Sequence, residues 1–206
     1  MPAYHFDIDQ HSPEWYAIKA GKWSASNAAT IMGGLETKGL DDLVRTIAWE
    51  RVFGPTSEPR YQSAAMQRGN DTEEEAREWV AFQIDDVIEQ CGFVEHATIA
   101  NVGWSPDGLR ANRKIAQEIK CPLHKAYMEV VRKREVPSEY RWQVRWGMWV
   151  GELDGLDFTV YHPQAGGIIV PVDPDRSTHE QMVERVDILE KRVAVWTELL
   201  AERRAS

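Results

Sequence analysis

Between residues 103 and 122 the chain reads Gly-Trp-Ser-Pro-Asp-Gly-Leu-Arg-Ala-Asn-Arg-Lys-Ile-Ala-Gln-Glu-Ile-Lys-Cys-Pro. Pro-Asp-Gly is a turn signal and places Asp107 at the end of a first short strand. The apolar alternation that follows predicts a second strand over about Ile115 to Cys121. Because strand side chains alternate between faces, Glu118 and Lys120 share one face, about 6–7 Å apart, and Ile119 points to the other face, toward a core.

Two carboxylates and an amine at a strand bend can hold a hard divalent cation and position a water molecule. This is the site chemistry of metal-dependent phosphodiester cleavage. An ordinary hairpin with a turn aspartate and a surface Glu–Lys pair fits the same residues, so these residues alone leave both interpretations open. A second Glu-x-Lys, Glu36-Thr37-Lys38, lies in a Gly-rich polar segment, and we interpret it as part of a loop.

Composition limits the class of protein. A chain of 206 residues with 43% apolar residues predicts a single domain, residues 1–206, with a sizeable core. It has no run of 18 apolar residues, no secretory signal and only two cysteines, so we expect a location in the cytoplasm and no membrane span. The net charge of −9 argues against general nucleic-acid binding. It does not exclude a nuclease, whose acidic residues hold metal and whose local basic patch meets phosphates.

The hydrophobic pattern predicts an α/β or α+β fold with a mixed central sheet. The predicted helices cover about Ser12–Ala20, Leu40–Phe53, Ser63–Glu89 with a possible break at Gly69, Leu123–Arg134, Pro137–Trp149 and Ser177–Glu202. A further short helix is predicted to begin near Ser24 or Ser26 and to end at Gly33-Gly34. The predicted strands cover Phe93–Ile99, Val102–Trp104, Ile115–Cys121, Leu156–Tyr161 and Gly167–Val172, of which the first three form an antiparallel run.

Three polar side chains stand out on the predicted helices. Glu73 heads the inward stripe that continues through Ala76, Val80, Ile84 and Val87, and a carboxylate there needs a partner or a metal. An early-turn acid that serves the helix dipole is the simpler alternative.

Gln143 lies off the tryptophan stripe of its helix, which leaves it free to reach a site. Ser26 lies near a helix N-terminus that suits a phosphate, although a plain helix cap is the commoner role. We expect Trp23, Trp104 and Trp142 to pack in the interior. We predict that the inward face of the last helix is formed by Met182, Val186, Leu189, Val193 and Trp196.

Three motifs occur in order: Ser105-Pro-Asp-Gly108, Glu118-Ile-Lys-Cys-Pro122 and Gln143-Val-Arg-Trp-Gly-Met-Trp-Val150. With these motifs the chain resembles the lambda exonuclease group of viral recombination nucleases, also called the YqaJ type, of the restriction-endonuclease-like superfamily. The resemblance covers most of the chain, since it extends to the segments 14–21, 24–26 and 68–76.

The resemblance implies a processive exonuclease that degrades one strand of linear double-stranded DNA from its 5′ end and leaves a 3′ overhang for recombination by strand annealing. It implies that Asp107, Glu118 and the Ile119 backbone carbonyl bind Mg²⁺, with Mn²⁺ as an alternative. Lys120 would orient or activate the attacking water. Glu73 and Gln143 would support that lysine, the water and the metal shell.

The resemblance also implies a pocket for the 5′-terminal phosphate, formed by Ser26, Ser105 and Lys19. The family has arginine at the last position, and lysine gives a point charge rather than a bidentate fork. The preference for phosphorylated ends would therefore be weaker, or it would depend on a different set of contacts. A ring-shaped homotrimer, a single-strand annealing protein as partner, and a phage or prophage origin in a bacterial host are further implications.

Two other functions compete with this one. An endonuclease of the same superfamily would cut a closed circular duplex. A non-catalytic DNA-binding subunit would retain the fold, but the intact set of Asp107, Glu118 and Lys120 argues against it. An iron–sulfur nuclease is disfavoured because two cysteines cannot supply four thiolates.

Overall fold

A computed structural model describes the backbone of residues 1–56 and 64–205, and the side chains of these residues except 64–71 and 205. Its strands are β1 Ala3–His5, β2 Trp23–Ser24, β3 Ile88–Glu89, β4 Phe93–Glu95, β5 Val102–Trp104, β6 Gly108–Arg110, β7 Ile115–Lys120, β8 Gly155–His162 and β9 Gly166–Val172. Its helices are α1 Pro13–Lys19, α2 Ala28–Ile31, α3 Lys38–Phe53, α4 Ala64–Ile84, α5 His124–Lys133, α6 Arg141–Gly151 and α7 Ser177–Ala205. Short 3₁₀ turns at Ala25–Asn27 and Ser138–Tyr140 precede α2 and α6.

The described strands form two mixed sheets, which confirms the predicted class. One sheet has the order β1-β4-β5-β2 and the other the order β3-β6-β7-β8-β9. Strand β7 runs parallel to β8 and antiparallel to β6. The prediction that β5 and β7 belong to one antiparallel run was wrong. The Pro-Asp-Gly turn instead leads from one sheet into the other, because the unpredicted three-residue strand β6 intervenes.

Helix α6 packs against the first sheet through large aromatic side chains. The Trp146 indole donates a hydrogen bond of 3.1 Å to the Gly103 carbonyl and is fully buried. Gly147 allows the helix backbone to lie against the Trp104 ring, since a Cβ at this position would be 2.7 Å from that ring. Trp23 is also fully buried, and Trp142 packs partly buried against the core, as predicted.

Several element boundaries differ from the predictions. Helix α4 runs through Gly69 without a break and ends at Ile84, so Val87 lies beyond the helix and is 65% exposed instead of inward. Strand β4 stops at Glu95, four residues before the predicted end at Ile99. Helix α3 begins at Lys38, because the Thr37 hydroxyl accepts a hydrogen bond from the Leu40 N–H and caps the helix.

The last helix buries four of the five residues of its predicted inward stripe: Met182, Val186, Leu189 and Val193. The fifth, Trp196, is 41% exposed, and its ring lies 5.9 Å from the Arg45 guanidinium carbon. Within residues 1–56 and 64–205, none of the helices has the length and hydropathy that a membrane span requires.

Candidate active site

Strand β7 presents Glu118 and Lys120 on one face, as the strand pattern predicts. The Lys120 Nζ lies 2.5 Å from the Glu118 Oε1, and these side chains are 24% and 1% exposed. Ile119 faces the opposite way, where it packs with Ala76 and Tyr161. The Glu–Lys pair is therefore largely buried, which removes the surface-pair interpretation.

Asp107 is tied to the same strand by its side chain. Its Oδ2 accepts a hydrogen bond of 2.6 Å from the Ile119 N–H. This bond fixes the turn after β5 against β7 and brings the Asp107 charge to the Glu118 carboxylate, whose pKa it helps to raise. The turn and the strand thus bring together the two carboxylates that the sequence singled out.

Helix α6 supplies Gln143, whose Nε2 donates a hydrogen bond of 2.5 Å to the Glu118 Oε1. That oxygen therefore receives both Gln143 and Lys120. The second oxygen, Oε2, is buried and has no hydrogen-bond partner among the described residues. A buried carboxylate oxygen without a partner carries a large desolvation cost, and a cation is the group best able to offset it.

Helix α4 places Glu73 beside this group through Arg77, which lies one turn further along the helix. Arg77 donates from Nη2 to the Glu73 Oε1 and from Nε to the Asp107 carbonyl oxygen, both at 2.8 Å. Arg77 is not among the residues that the sequence patterns single out. The (i, i+4) spacing of Glu73 and Arg77 predicts their ion pair, but not the bond to Asp107. Glu73, Asp107, Glu118, Lys120 and Gln143 are hereafter the carboxylate cluster.

The electrostatics of the carboxylate cluster follow from burial and crowding. Burial, with the nearby Asp107 charge, raises the pKa of both Glu73 and Glu118 to about 7. Burial alone would lower the pKa of Lys120, but the Glu118 and Asp107 charges outweigh it and hold that pKa above its ordinary value. The lysine is therefore a cation at neutral pH, and the site carries an excess of acids.

The geometry limits how a metal could be held. No group of three or more His, Cys, Asp or Glu side chains in the described part of the chain is arranged to hold a metal ion. A cation here would need Asp107 and Glu118 together with ligands of another kind, such as a backbone carbonyl, water or substrate oxygens. Mg²⁺ is commonly bound by one or two carboxylates with the rest of its shell filled in this way.

A second group of residues surrounds Trp15 on α1. Its indole Nε1 donates to the Ser105 Oγ at 2.8 Å and to the Gly92 carbonyl at 3.0 Å, and the Lys19 Nζ lies 4.3 Å from the ring centroid. The structure thus brings Lys19 and Ser105 to the same buried side chain.

Ser26 lies on the neighbouring segment and is exposed. Its Oγ is 3.1 Å from the Ser24 Oγ, and Ser24 pairs with Gly103 across β2 and β5. Trp15, Lys19, Ser24, Ser26 and Ser105 are hereafter the Trp15 cluster. Only Pro106 separates Ser105 from Asp107 in the chain, so the two clusters meet at this turn.

Two clefts flank the carboxylate cluster. One, of about 440 Å³, is lined by Glu73, Arg77 and Asp107 together with residues of the turn before α1. The other, of about 400 Å³, is lined by Lys120 and Tyr140 among others. The acidic groups and the amine thus each line a cleft.

Comparison with known proteins places this geometry in a family. The model of the YqaJ-like viral recombinase domain matches residues 14–154, which is more than half of the chain and includes every residue of both clusters. The chain belongs to the YqaJ-like viral recombinase family. The resemblance drawn from the motifs is therefore confirmed. No curated protein matches the sequence significantly.

Solved structures resemble this YqaJ-like recombinase over nearly its whole length. An alkaline exonuclease (LHK-Exo) from Laribacter hongkongensis is 25% identical, with a TM-score of 0.84 over 94% of this chain and 98% of that chain. The same values hold for LHK-Exo in complex with dAMP. A phage-related exonuclease from Haemophilus somnus 129PT, 17% identical with a TM-score of 0.66 over 88% and 96% of the two chains, shares the fold.

Proposed function

We propose that this YqaJ-like recombinase is a metal-dependent exonuclease that degrades one strand of linear double-stranded DNA from its 5′ end. The observation that carries the proposal is the buried Glu118 carboxylate, whose Oε2 has no hydrogen-bond partner among the described residues. Family membership and the similarity to an alkaline exonuclease support the same activity. The products would be 5′-phosphomononucleotides and a duplex with a 3′ overhang, suited to recombination by strand annealing.

The residues present fit a divalent cation such as Mg²⁺, or alternatively Mn²⁺. Asp107 and Glu118 would bind it through their oxygens, together with the Ile119 carbonyl. Hard oxygen donors suit both metals. When bound, such an ion supplies Lewis-acid stabilisation of charge on the phosphoryl oxygens and lowers the pKa of a bound water.

The side chains of the carboxylate cluster have separate tasks in hydrolysis. Attack of water on phosphorus breaks the bond to the 3′ oxygen of the terminal nucleotide, and that oxygen leaves with a proton. Lys120 is protonated, since its pKa lies above the ordinary value. It therefore orients the water and stabilises the developing negative charge, rather than acting as a base.

Neighbouring residues hold these groups in place. Gln143 fixes the Glu118 Oε1, and Arg77 fixes Glu73 together with the turn that carries Asp107. Supporting bonds of this kind set the orientation of ligands and lysine alike. We assign Glu73 and Gln143 to this supporting role.

We assign the 5′-terminal phosphate to the Trp15 cluster. Lys19 supplies the charge, and Ser26 and Ser105 supply hydroxyl donors. Because Ser105 and Asp107 share one turn, a phosphate held by the first would place the next phosphodiester near the second. This arrangement would confine cleavage to strand ends.

Family membership alone supports the remaining proposals. These are a ring-shaped homotrimer, a single-strand annealing protein as partner, and action in the cytoplasm of a bacterial host on behalf of a phage or prophage.

The decisive experiment is digestion of a linear duplex labelled separately at its 5′ and 3′ ends, with Mg²⁺ and with EDTA, beside a closed circular duplex. We expect loss of the 5′ label first, only with metal, and an intact circle. Cleavage of the circular duplex would show that the protein is an endonuclease and not an end-specific exonuclease. A failure to cleave any substrate with Mg²⁺, or with Mn²⁺ in its place, would support a non-catalytic DNA-binding subunit.

A further inference from the structure

His11 occupies the turn immediately before α1 in a backbone conformation that suits it poorly. Its φ is +68°, in the left-handed region that glycine adopts freely and that other residues seldom adopt. Ser12, the next residue, caps α1 through a bond from the Trp15 N–H. A histidine held in such a conformation raises the question of what its side chain does.

The side chain of His11 lies against the Trp15 cluster. Its ring centroid is 5.0 Å from that of Trp15, the same indole that carries the Lys19 Nζ at 4.3 Å and donates to Ser105. His11 is exposed by accessible surface, but partial desolvation of its ring, and after it the charge of Lys19, lowers its pKa. The His11 imidazole and the Lys19 ammonium thus both approach the Trp15 indole, and the lysine lies near enough for its charge to act on the imidazole.

Gln10 fixes this turn next to the carboxylate cluster. Its Nε2 donates to the Pro106 carbonyl at 2.7 Å and to the Cys91 carbonyl at 3.1 Å. Pro106 lies between Ser105 and Asp107, so the bond pins the His11 turn to the segment where both clusters meet. His11 and Asp107 accordingly line the same cleft of about 440 Å³.

We propose that His11 is a specificity-determining residue that donates a hydrogen bond to the 5′-terminal phosphate of the DNA. This inference rests on the proposed exonuclease function and extends its phosphate pocket to a fourth group. Lys19 gives charge without a fixed direction, whereas an imidazole N–H is a directional donor. A neutral imidazole retains one N–H, so the lowered pKa leaves the donor in place.

The test compares the rates on 5′-phosphorylated and 5′-hydroxyl ends, with the ratio of the two as the readout. The variant His11→Gly removes the ring and suits the backbone, so its melting temperature should match or exceed that of the wild type. We expect the ratio to fall about tenfold, as for loss of a hydrogen bond to a charged group. Asp85→Gly is the matched control, since Asp85 is exposed at a φ of +51° beyond α4, and its ratio should stay that of the wild type.

Two conservative variants distinguish a His11 side chain that donates a hydrogen bond from one that only packs against Trp15. His11→Asn and His11→Gln each restore an N–H donor, at the reach of Nδ1 and Nε2 respectively, and at least one should bring the ratio to within about threefold of wild type. An unchanged ratio in His11→Gly would overturn the proposal while leaving the exonuclease intact. A lowered ratio that neither amide variant restores would overturn it as well.

DNA binding measured without cleavage tests the role of His11 separately from the proposed exonuclease activity. Fluorescence anisotropy in EDTA gives the affinities of the full-length protein for 5′-phosphorylated and 5′-hydroxyl duplexes. We expect His11→Gly to lose the wild-type preference for the phosphorylated duplex. Equal affinities of the wild-type protein for both duplexes would overturn the His11 role, whatever the outcome of digestion.

Discussion

The carboxylate cluster and the Trp15 cluster meet at one turn, yet they are built in different ways. In the carboxylate cluster, Glu118 is almost fully buried on a central strand and has an oxygen without a partner among the described residues. In the Trp15 cluster, the Ser105 hydroxyl already accepts a bond from Trp15, while Ser26 is exposed on a short 3₁₀ turn. The first cluster is electrostatically incomplete at a buried oxygen, whereas the second sets half-buried or exposed polar groups, Lys19, Ser26 and Ser105, around the buried Trp15 and Ser24.

This difference indicates two separate tasks. A buried carboxylate among crowded acids binds a cation strongly once the acids are ionised, and the fixed dipoles around it act strongly on developing charge. Neutral hydroxyls and one lysine at half-buried or exposed positions gain less per contact, because water screens them. We therefore expect changes in the carboxylate cluster to abolish the rate and changes in the Trp15 cluster to alter the choice of DNA end.

The largest expected effect is that of Lys120→Ala. Removing the only ammonium that contacts Glu118 in the described part of the chain should lower the cleavage rate by about 10²- to 10³-fold, because charge stabilisation at the reacting phosphate is lost. DNA binding, measured by anisotropy, should remain. Lys191→Ala, an exposed lysine on α7 paired with Asp187, is the control and should cleave normally. Wild-type-like cleavage by Lys120→Ala would remove the lysine from the site.

Gln143→Ala should have the next largest effect. Its amide holds the Glu118 Oε1, and loss of a group that orients a metal ligand typically lowers activity or metal affinity roughly 10- to 100-fold. Titration calorimetry with Mn²⁺ and single-turnover cleavage would measure both quantities. If neither the metal affinity nor the cleavage rate changes, the bond between Gln143 and Glu118 has no functional role, and Gln143 does not belong to the carboxylate cluster.

Lys19→Ala should change specificity more than rate. We expect about a tenfold loss on 5′-phosphorylated ends and a smaller loss on hydroxyl ends, since a charged contact to phosphate disappears. Lys22→Ala is a close control, because Lys22 pairs with Glu95 instead. Equal losses on both ends would exclude Lys19 from the phosphate pocket and weaken the distinction between the clusters.

The smallest expected effect is the pH dependence of protein stability and of metal affinity. Glu73 and Glu118 have pKa values raised to about 7, so the metal-free folded protein binds more protons than the unfolded chain between their unfolded pKa and pH 7. Their contribution to stability accordingly falls as pH rises through that window, and the destabilisation is complete above pH 7. A cation must displace these protons, so its affinity weakens below pH 7.

Thermal unfolding with and without Mg²⁺ checks this linkage. One pH unit below its pKa, a carboxyl costs about 1.4 kcal/mol to ionise, which corresponds to about 3–5 °C in a protein of this size. The rise in melting temperature on adding Mg²⁺ should therefore be larger at pH 8 than at pH 6 by about that amount. An equal rise at both values would mean that these acids do not bind the ion.

The sequence predicted those parts of the carboxylate cluster that depend on local periodicity. Strand alternation placed Glu118 and Lys120 on one face, and helical spacing left Gln143 off the tryptophan stripe of α6. The bond from Arg77 to the Asp107 carbonyl joins residues thirty positions apart, so no local pattern could reveal it. His11 escaped notice for the same reason, since its position depends on the tertiary contacts of Gln10 and Trp15.

The errors in the fold have a similar cause. Strand β6 has three residues, Gly108–Arg110, which is too short for alternation to be recognised. Without it, the sequence pattern predicts one antiparallel run for β5 and β7, although these strands lie in different sheets. Trp196 matched the helical stripe of α7, but its ring lies at the surface beside Arg45, which periodicity cannot distinguish from burial.

The claim that the carboxylate cluster holds the catalytic ion is tested most directly by anomalous scattering from crystals soaked in Mn²⁺. We predict an anomalous peak bound by Asp107 and Glu118, within coordination distance of the Glu118 Oε2, and its loss in Glu118→Gln. An unoccupied Glu118 Oε2, with Mn²⁺ bound elsewhere in a crystal of active protein, would contradict the assignment.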